Sequence, residues 1–304
     1  MKVKGYLFAV LSAISYGLIP LFVLPIKTAN FSMDVTLAYR FVISALFILA
    51  LLIYKKEPLS IKRSELLVLV TLGVLFALSS EFLFMAYDYL SAGIASTILF
   101  VYPLFVAITM AVFFGEKISK PMAVSLIVTL GGIFVLSARN GMFDINYTGL
   151  LVALTSAVCY ALYIVLVNKS KVGASGFKLA FYSMLFSGGF YLVKALFLKE
   201  SLLLPDAKML LNITVFGFST SVISITALVY AIKLIGSTTT SIMGALEPVV
   251  AVAISVMLFH EAFTFRLATG IVLILCGVII NILAEQKSQQ ISSQEILEPQ
   301  NIVT

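Results

Sequence analysis

The chain of 304 residues contains a single histidine, His260, and only two cysteines, Cys159 and Cys276. Both cysteines lie inside apolar runs and lack the paired spacing of a disulfide framework or a thiolate metal site, so neither is predicted. The sequence also lacks a glycine-rich loop of the kind that cradles phosphates, which argues against ATP-driven pumping by this chain alone. No bound metal or nucleotide is therefore predicted.

The residues that a membrane-embedded enzyme would need are also scarce. His260 lies at the predicted edge of a span, and no two aspartates lie within spans, as an aspartyl protease would require. The segment 217–220 falls short of a serine-nucleophile motif. We therefore predict that the chain is not an enzyme and needs no cofactor. A membrane-embedded enzyme stays the main rival interpretation.

Charged residues make up only 11% of the chain and hydrophobic residues 61%, with a mean hydropathy of +1.12. Water cannot be the main solvent of such a composition. A helix that spans a bilayer needs roughly 20 apolar residues, and nearly all of residues 4–284 divide into runs of that length. The predicted fold class is an all-α membrane protein with ten transmembrane helices, at residues 5–26, 34–54, 65–87, 91–114, 120–138, 148–168, 175–198, 209–232, 236–259 and 264–284.

The net charge of +6 comes from basic residues in the loops between the predicted spans. Most Lys and Arg residues fall on the side of the N-terminus, and cytoplasmic loops carry an excess of these residues. Both termini are therefore predicted in the cytoplasm, with the chain in the cell (inner) membrane. Residues 287–304, rich in Gln, Ser and Glu, are predicted to be a disordered cytoplasmic tail.

The two halves of the sequence match each other at nearly constant spacing. The offset is 144 for Tyr16 and Tyr160 and 145 further along the chain. We therefore predict two five-helix repeats, residues 1–140 and 141–286. Because five is odd, the second repeat is inverted in the membrane, an architecture that lets a carrier open to each side in turn. The matches at 145 include Ala86/Ala231, Ser96/Ser241, Pro103/Pro248, Glu116/Glu261 and Gly132/Gly277.

Several short motifs recur in both halves. They are residues 86–96, Tyr102-Pro103, Gly115-Glu116 and Gly131-Gly132, with counterparts at residues 231–241, Glu247-Pro248, His260-Glu261 and Gly277. In combination they resemble the EamA-type family of the drug/metabolite transporter superfamily. The resemblance implies ten helices in two inverted five-helix repeats around a central cavity lined by the fourth and ninth spans. It also implies export or exchange of amino acids, metabolites or drug-like compounds.

Three of the charged side chains within predicted spans, Arg40, Glu81 and Glu247, lie farthest from the span ends, where a charge costs roughly 2.5 to 3.5 kcal/mol on insertion scales. Glu247 lies near the middle of the ninth span, and Thr240 precedes it on the same helical face. Arg40 and Glu81 lie at similar depth in the second and third spans, so they form either an ion pair between helices or parts of a substrate site. In the second interpretation, Arg40 binds a substrate carboxylate, and a glutamate binds an ammonium group or a proton.

The first and sixth spans carry matching stripes of hydroxyl and aromatic side chains, which include Tyr16, Ser156 and Tyr160. Such faces suit recognition of a small amphiphile, although small polar residues also hold helices together. Tyr102 lies in the fourth span, which the resemblance places along the cavity. We therefore predict these residues, with Glu247, Glu81, Arg40 and Thr240, as the substrate-binding set.

Three prolines lie inside spans, at Pro20, Pro103 and Pro248. Each removes one helical hydrogen bond and frees a backbone carbonyl, which predicts either a bend used in gating or a static kink.

Small and acidic residues near the ends of the repeats have a structural interpretation. Glycines at 131, 132, 270 and 277 are predicted to allow close helix approach, with a homodimer contact as a further option. Glu116 and Glu261 are predicted to pair with cations or cap a helix rather than to bind substrate.

Together these features predict a secondary transporter that moves a small metabolite, either an amino acid or a drug-like amphiphile, by alternating access. Export is the direction that the resemblance implies. A membrane-embedded enzyme or a channel-like pore is the alternative. The predicted partners are the small-molecule substrate and the lipid bilayer, with protons and a second copy as further candidates, and no nucleic acid is expected.

Overall fold

The chain folds into helices along nearly its whole length. The computed structural model describes residues 2–115, 120–137, 146–169, 175–204, 206–235, 243–244 and 246–297, and within these ranges there is no strand. The prediction of an all-α membrane protein is confirmed. The helices are α1 (Lys2–Gly17), α2 (Ile19–Thr28), α3 (Met33–Tyr54), α4 (Arg63–Ala86), α5 (Ala92–Leu99), α6 (Tyr102–Phe114), α7 (Lys120–Ser137), α8 (Tyr147–Lys169), α9 (Gly176–Phe197), α10 (Ala207–Gly217), a π-helical segment (Phe218–Ile223), α11 (Ser224–Ile235), α12 (Leu246–Phe259) and α13 (Phe265–Leu297).

Ten apolar helical stretches follow the predicted spans in order. Seven of them are long and apolar enough to cross a membrane: Val3–Thr28, Met33–Tyr54, Arg63–Ala86, Ala92–Phe114, Tyr147–Val167, Gly176–Phe197 and Ala207–Leu228. Three shorter apolar helices, Ala123–Val135, Leu246–Phe259 and Phe265–Ile280, take the fifth, ninth and tenth places. The chain is therefore an integral, multi-pass membrane protein.

Short polar side chains fix where several helices begin. Ser32, Ser91, Ser175 and Asp206 precede α3, α5, α9 and α10, and each accepts a hydrogen bond at 2.7–3.3 Å from the backbone N–H three residues later. Such caps stabilise a helix by about 1 kcal/mol each because they satisfy a donor that the helix itself leaves free.

Two of the long spans are interrupted where a proline follows. The first span breaks at Leu18, between α1 and α2, with Pro20 in the first turn of α2. The fourth breaks at Phe100 and Val101, between α5 and α6, with Pro103 in the first turn of α6. At both breaks the backbone turns through i→i+3 hydrogen bonds of 2.9–3.1 Å. Both spans therefore have a discontinuity near their centre, and its use in gating stays a prediction.

Serine contacts between helices follow the repeat register. The Ser12 hydroxyl donates to the Ser224 carbonyl at 2.9 Å, which joins α1 to α11. The Ser156 hydroxyl donates to the Ser79 carbonyl at 2.6 Å, which joins α8 to α4. Ser12 is the repeat partner of Ser156, and Ser79 that of Ser224. Each half therefore packs its first helix on the third helix of the other half, and the division into two repeats stays a prediction.

The fifth and tenth spans cross each other at glycines. A Cβ placed on Gly277 of α13 would lie 2.2 Å from Thr129 Oγ1, and one on Gly132 of α7 would lie 2.7 Å from Ile274 Cγ1. The Ser125 hydroxyl donates to the Gly277 carbonyl at 2.6 Å across the same contact. The predicted close approach is thus found within one chain. Gly131 is different, because it is exposed and a Cβ there would meet nothing within 4 Å.

We expect Gly277→Ala to destabilise the protein by about 2 kcal/mol, since the added methyl group has no room and overpacking of this kind costs roughly 1–3 kcal/mol. The thermal midpoint of the detergent-solubilised protein, followed by size-exclusion chromatography, measures the effect. Gly131→Ala adds the same methyl group where there is open space and should leave the midpoint unchanged or slightly higher, because alanine favours the helix. Equal midpoints for the two variants would contradict the packing described for α7 and α13.

Glu261 caps a helix of the opposite repeat. Its carboxylate accepts a hydrogen bond of 2.9 Å from the backbone N–H of Ala92, at the start of α5. The residue thus ties the end of the ninth span to the start of the fourth. Its repeat partner Glu116 lies outside the described residues, as does Thr240.

The prediction of a disordered tail was wrong for its first part, because α13 continues to Leu297. Residues 286–297 contain neither glycine nor proline, and the next proline is Pro299. A helix already nucleated in the membrane propagates through such residues at little cost. Residues 298–304 lie outside the described part of the chain.

Candidate functional site

Tyrosine side chains from three different spans meet between the two halves. The rings of Tyr102 and Tyr160 lie edge to face with their centroids 4.7 Å apart, and the rings of Tyr160 and Tyr163 are nearly parallel at 6.1 Å. Tyr16 lies within electrostatic range of Tyr160 and Tyr163. These four side chains are partly exposed although they face one another. We term these four side chains the tyrosine cluster.

Glu247 lies beside the tyrosine cluster. It is the second residue of α12, is partly buried, and interacts electrostatically with Tyr16, Tyr102 and Tyr160. Among the described residues, no cationic side chain lies within ion-pair distance of its carboxyl group. An unpaired carboxyl group inside a membrane protein requires either a proton or a ligand that carries positive charge.

The break in the first span packs directly against the start of α12. A Cβ on Gly17 would lie 2.8 Å from the Glu247 carbonyl oxygen and 2.8 Å from Val250 Cβ, so only glycine allows this approach. Pro248, the third residue of α12, is buried at the same place. Two predicted kink positions, Pro20 and Pro248, thus flank one helix contact. A movement of α12 would therefore change the packing at the break in the first span.

Arg40 is buried in α3 with 1% of its surface exposed. Its Nη2 donates to Thr220 Oγ1 at 3.2 Å, and the guanidinium carbon lies 4.3 Å from the centroid of the Phe216 ring. Within the described part of the chain, the Nε hydrogen has no partner and no carboxylate pairs with the guanidinium. Tyr16 and Tyr87 lie within its electrostatic range. The Arg40 guanidinium is thus held in a fixed position, and its Nε hydrogen can still donate a hydrogen bond.

Glu81 pairs with Lys194 rather than with Arg40. The Lys194 ammonium contacts the Glu81 carboxylate and also that of Asp34 at 2.9 Å, which links the end of α9 to α3 and α4. Of the two interpretations for Arg40 and Glu81, the mutual ion pair is therefore not formed. The substrate-binding role predicted for Glu81 gains no supporting contact, because its carboxylate already has a cation.

Ser156 is fully buried, and its hydroxyl serves the contact between α8 and α4 described above. It holds helices together and does not point a free hydroxyl at the tyrosine cluster. Of the predicted set, the structure therefore brings together Tyr16, Tyr102, Tyr160 and Glu247, with Arg40 nearby. It leaves Glu81 and Ser156 in other contacts.

Three residues around Arg40 and Tyr16 were not predicted from the sequence. Thr220 and Phe216 hold the guanidinium, and the hydroxyl of Tyr87 lies 3.1 Å from that of Ser96 within reach of Tyr16. The signal for Thr220 was present, since residues 219–221 form a polar run in the middle of an apolar span. No group of three or more metal-ligating side chains occurs in the described ranges.

The profile of the EamA-like transporter family matches residues 3–138 and 147–283, which together cover most of the chain. A relative from Bacillus subtilis, named "Uncharacterized transporter YvbV", is 27% identical over 198 residues. This alignment covers 63% of the present chain and 63% of the relative. A solved structure titled "Crystal structure of protein" aligns with a TM-score of 0.68 and 18% identity, over 94% of this chain and 99% of the other. At that identity the likeness concerns the fold alone.

Proposed function

We propose that this chain, which belongs to the EamA-like transporter family, is a secondary transporter that carries small solutes across the membrane by alternating access. The proposed cargo is a small zwitterion such as an amino acid, or a related amphiphile, and the proposed direction is export.

The observation that carries this proposal is the placement of Arg40 and Glu247 around Tyr16. The Arg40 guanidinium and the Glu247 carboxyl group both lie near the Tyr16 phenol. Neither charge has an ion-pair partner in the described part of the chain. Two unpaired charges of opposite sign are costly in a membrane, and a substrate that carries a carboxylate and an ammonium group would neutralise both. A zwitterion is therefore the ligand class that fits the site best.

The tyrosine cluster suits the remainder of such a substrate. Aromatic rings offer a large apolar surface, and each hydroxyl adds a polar group that orients the ligand. The four side chains come from α1, α6 and α8, so a ligand among them would contact both halves of the chain. Contact with both halves is what a carrier needs if substrate binding is to bias their relative movement.

Alternating access is supported by the arrangement of the helices. The two halves make equivalent serine contacts, and the first and fourth spans break near their centres. In carriers built from inverted repeats, broken helices of this kind lie at the binding site near the midplane. The charge bias of the loops further favours an orientation with both termini in the cytoplasm of the cell (inner) membrane.

Counterflow in proteoliposomes tests the proposal. Purified protein is reconstituted into vesicles loaded with an unlabelled L-amino-acid mixture, and uptake of the radiolabelled mixture is compared with uptake of the corresponding decarboxylated amines and of sugar phosphates. We expect saturable uptake of amino acids that is accelerated by amino acids on the opposite side, weaker uptake of the amines, which keep the ammonium group, and no uptake of sugar phosphates.

Two results would reject this function. Uptake that rises linearly with concentration and is indifferent to the contents of the vesicle would indicate a channel-like pore. Chemical conversion of the labelled amino acids inside the vesicles, without exchange, would indicate an enzyme. Vesicles prepared with heat-denatured protein provide the baseline for both measurements.

A further inference from the structure

The third span of the second half contains one residue more than its counterpart in the first half. Ser79 lies six residues after Gly73 in α4, whereas Ser224 lies seven residues after Gly217. This extra residue changes the repeat offset from 144 to 145. The change falls inside a helix, because both Gly217 and Ser224 belong to the eighth span.

Equivalent hydrogen bonds establish the correspondence before the extra residue. The Ser44 hydroxyl lies 3.2 Å from the Gly217 carbonyl and 2.7 Å from that of Arg40. In the other half, the Ser187 hydroxyl lies 2.7 Å from the carbonyls of both Gly73 and Ser183. Gly73 and Gly217 therefore occupy the same place in the two halves. After the extra residue, the serine contacts of α1 with α11 and of α8 with α4 fix Ser79 and Ser224 in the same way.

The π-helical segment Phe218–Ile223 lies between these two fixed points. Its counterpart in α4 is continuous α-helix. One residue added to an α-helix is accommodated as a π-bulge when the helix on both sides keeps its register, and such bulges are frequent at functional sites. The π segment is thus the structural form of the insertion.

The inserted segment carries the partner of Arg40. Thr220 is fully buried, donates its hydroxyl to the Phe216 carbonyl at 2.8 Å, and accepts from Arg40 Nη2 at 3.2 Å. The equivalent hydrogen bonds of Ser44 and Ser187 place Ser183 at the position of Arg40 in the other half, which is a local offset of 143. The scaffold is therefore nearly two-fold, whereas the guanidinium and its acceptor occur in one half only.

We propose that this single-residue insertion makes one half of the site specific for anionic groups, and that Thr220 is the positioning residue that holds the Arg40 guanidinium with its Nε hydrogen free for a substrate carboxylate. The proposal deepens the proposed function and rests on it, because it takes Arg40 to be the carboxylate subsite. A carboxylate binds a guanidinium best when the planar group is held in a fixed orientation. The Thr220 hydroxyl and the Phe216 ring provide that restraint from two directions.

A matched pair of deletions tests the insertion without any substrate. Deleting Ser219 should convert the π segment to α-helix and leave α10 and α11 in place, so the thermal midpoint should stay within about 5 °C of wild type. Deleting Leu75, its counterpart in α4, should shift the rest of that helix by about 100° and prevent a monodisperse, folded protein. If the Ser219 deletion unfolds the protein as the Leu75 deletion does, the insertion proposal is overturned.

Substitutions of Thr220 test the positioning role. Thr220→Val removes the acceptor at constant shape, and we expect about a tenfold loss of kcat/KM for the L-amino-acid mixture, mostly through KM. Uptake of the decarboxylated amines should not change, because amines have no carboxylate for Arg40. Thr220→Ser keeps the hydroxyl group, so its kcat/KM for the L-amino-acid mixture should equal that of the wild type. Thr214→Val is the matched control, since Thr214 lies in α10 and bonds only to its own helix at Leu210.

The outcomes separate the two proposals. Wild-type vesicles that exchange no amino acids would reject the proposed function. Wild-type exchange with an unchanged ratio of amino-acid to amine uptake in Thr220→Val would reject the positioning role while leaving the proposed function standing. A merely structural role for Thr220 would lower uptake of amino acids and amines equally, and that result also overturns the proposal.

Discussion

Replacing Arg40 with glutamine is expected to reduce counterflow of the L-amino-acid mixture at least about 100-fold, the equivalent of roughly 3 kcal/mol, while the protein stays folded. The loss follows because a substrate carboxylate would enter a buried site without its cation. The thermal midpoint should be unchanged or higher, since Arg40 has no ion-pair partner in the described residues whose charge its removal would strand. Counterflow and the thermal midpoint are measured on the same preparation.

The controls for this prediction use charge and position. Arg40→Lys keeps the charge but loses the planar fork, so it should restore only part of the rate. Arg63→Gln removes an exposed arginine at the start of α4 and should behave as wild type. Decarboxylated amines should still be taken up by Arg40→Gln. Wild-type exchange of amino acids by that variant would remove Arg40 from the site.

Replacing Glu247 with glutamine is expected to lower uptake of both amino acids and decarboxylated amines at least about 100-fold, roughly 3 kcal/mol in each case. Glutamine keeps the shape and hydrogen-bonding capacity of the side chain but cannot neutralise an ammonium group or accept a proton. If the carboxyl group also accepts a proton during transport, any residual exchange should no longer depend on pH. Initial rates across a pH series measure both effects.

Glu200→Gln is the matched control for Glu247, because Glu200 pairs with Ser32 in a loop far along the chain from α12. It should leave rate and pH dependence intact. The two site variants also discriminate between roles, since Glu247→Gln should lose amines that Arg40→Gln retains. Equal losses of amines in both variants would mean that the two charges do not bind opposite ends of one substrate.

The spans could be predicted closely because each depends on a sum over about 20 residues, which local irregularities barely change. The helix breaks also lie where Pro20 and Pro103 placed them. The prediction for the tail was wrong because its polar composition was taken to indicate disorder. A helix that has already formed a turn continues through residues that tolerate the helical conformation, and α13 continues in this way to Leu297.

The partners of the intramembrane charges could not be predicted from sequence. Lys194 lies near the end of its span and would be assigned to the loop cations, yet its long side chain reaches back to Glu81 and Asp34. Ser156 looked like a lining residue, and only the contact with Ser79 shows that its hydroxyl is used in packing. Such choices depend on distances of a few ångström between helices that are far apart in sequence.

The extra residue near Thr220 is another feature whose position in the structure could not be predicted from the sequence. The offset between halves changes by one residue in the sequence, and the sequence alone would allow the change to fall in a loop, where it has no consequence. The hydrogen bonds of Ser44 and Ser12 show that it falls inside a helix. The geometry around Arg40 therefore depends on an insertion that the sequence comparison of the two halves detects but cannot assign to a helix or a loop.

The reciprocal serine contacts have a consequence for biosynthesis. Ser12 leaves the ribosome long before Ser224 has been made, and Ser79 long before Ser156. The early helices must therefore wait in the bilayer with these surfaces uncovered until the late ones arrive. Neither half can reach its final packing alone, because the first helix of each half packs on the third helix of the other. The nascent chain therefore does not fold as two halves that dock after each is complete.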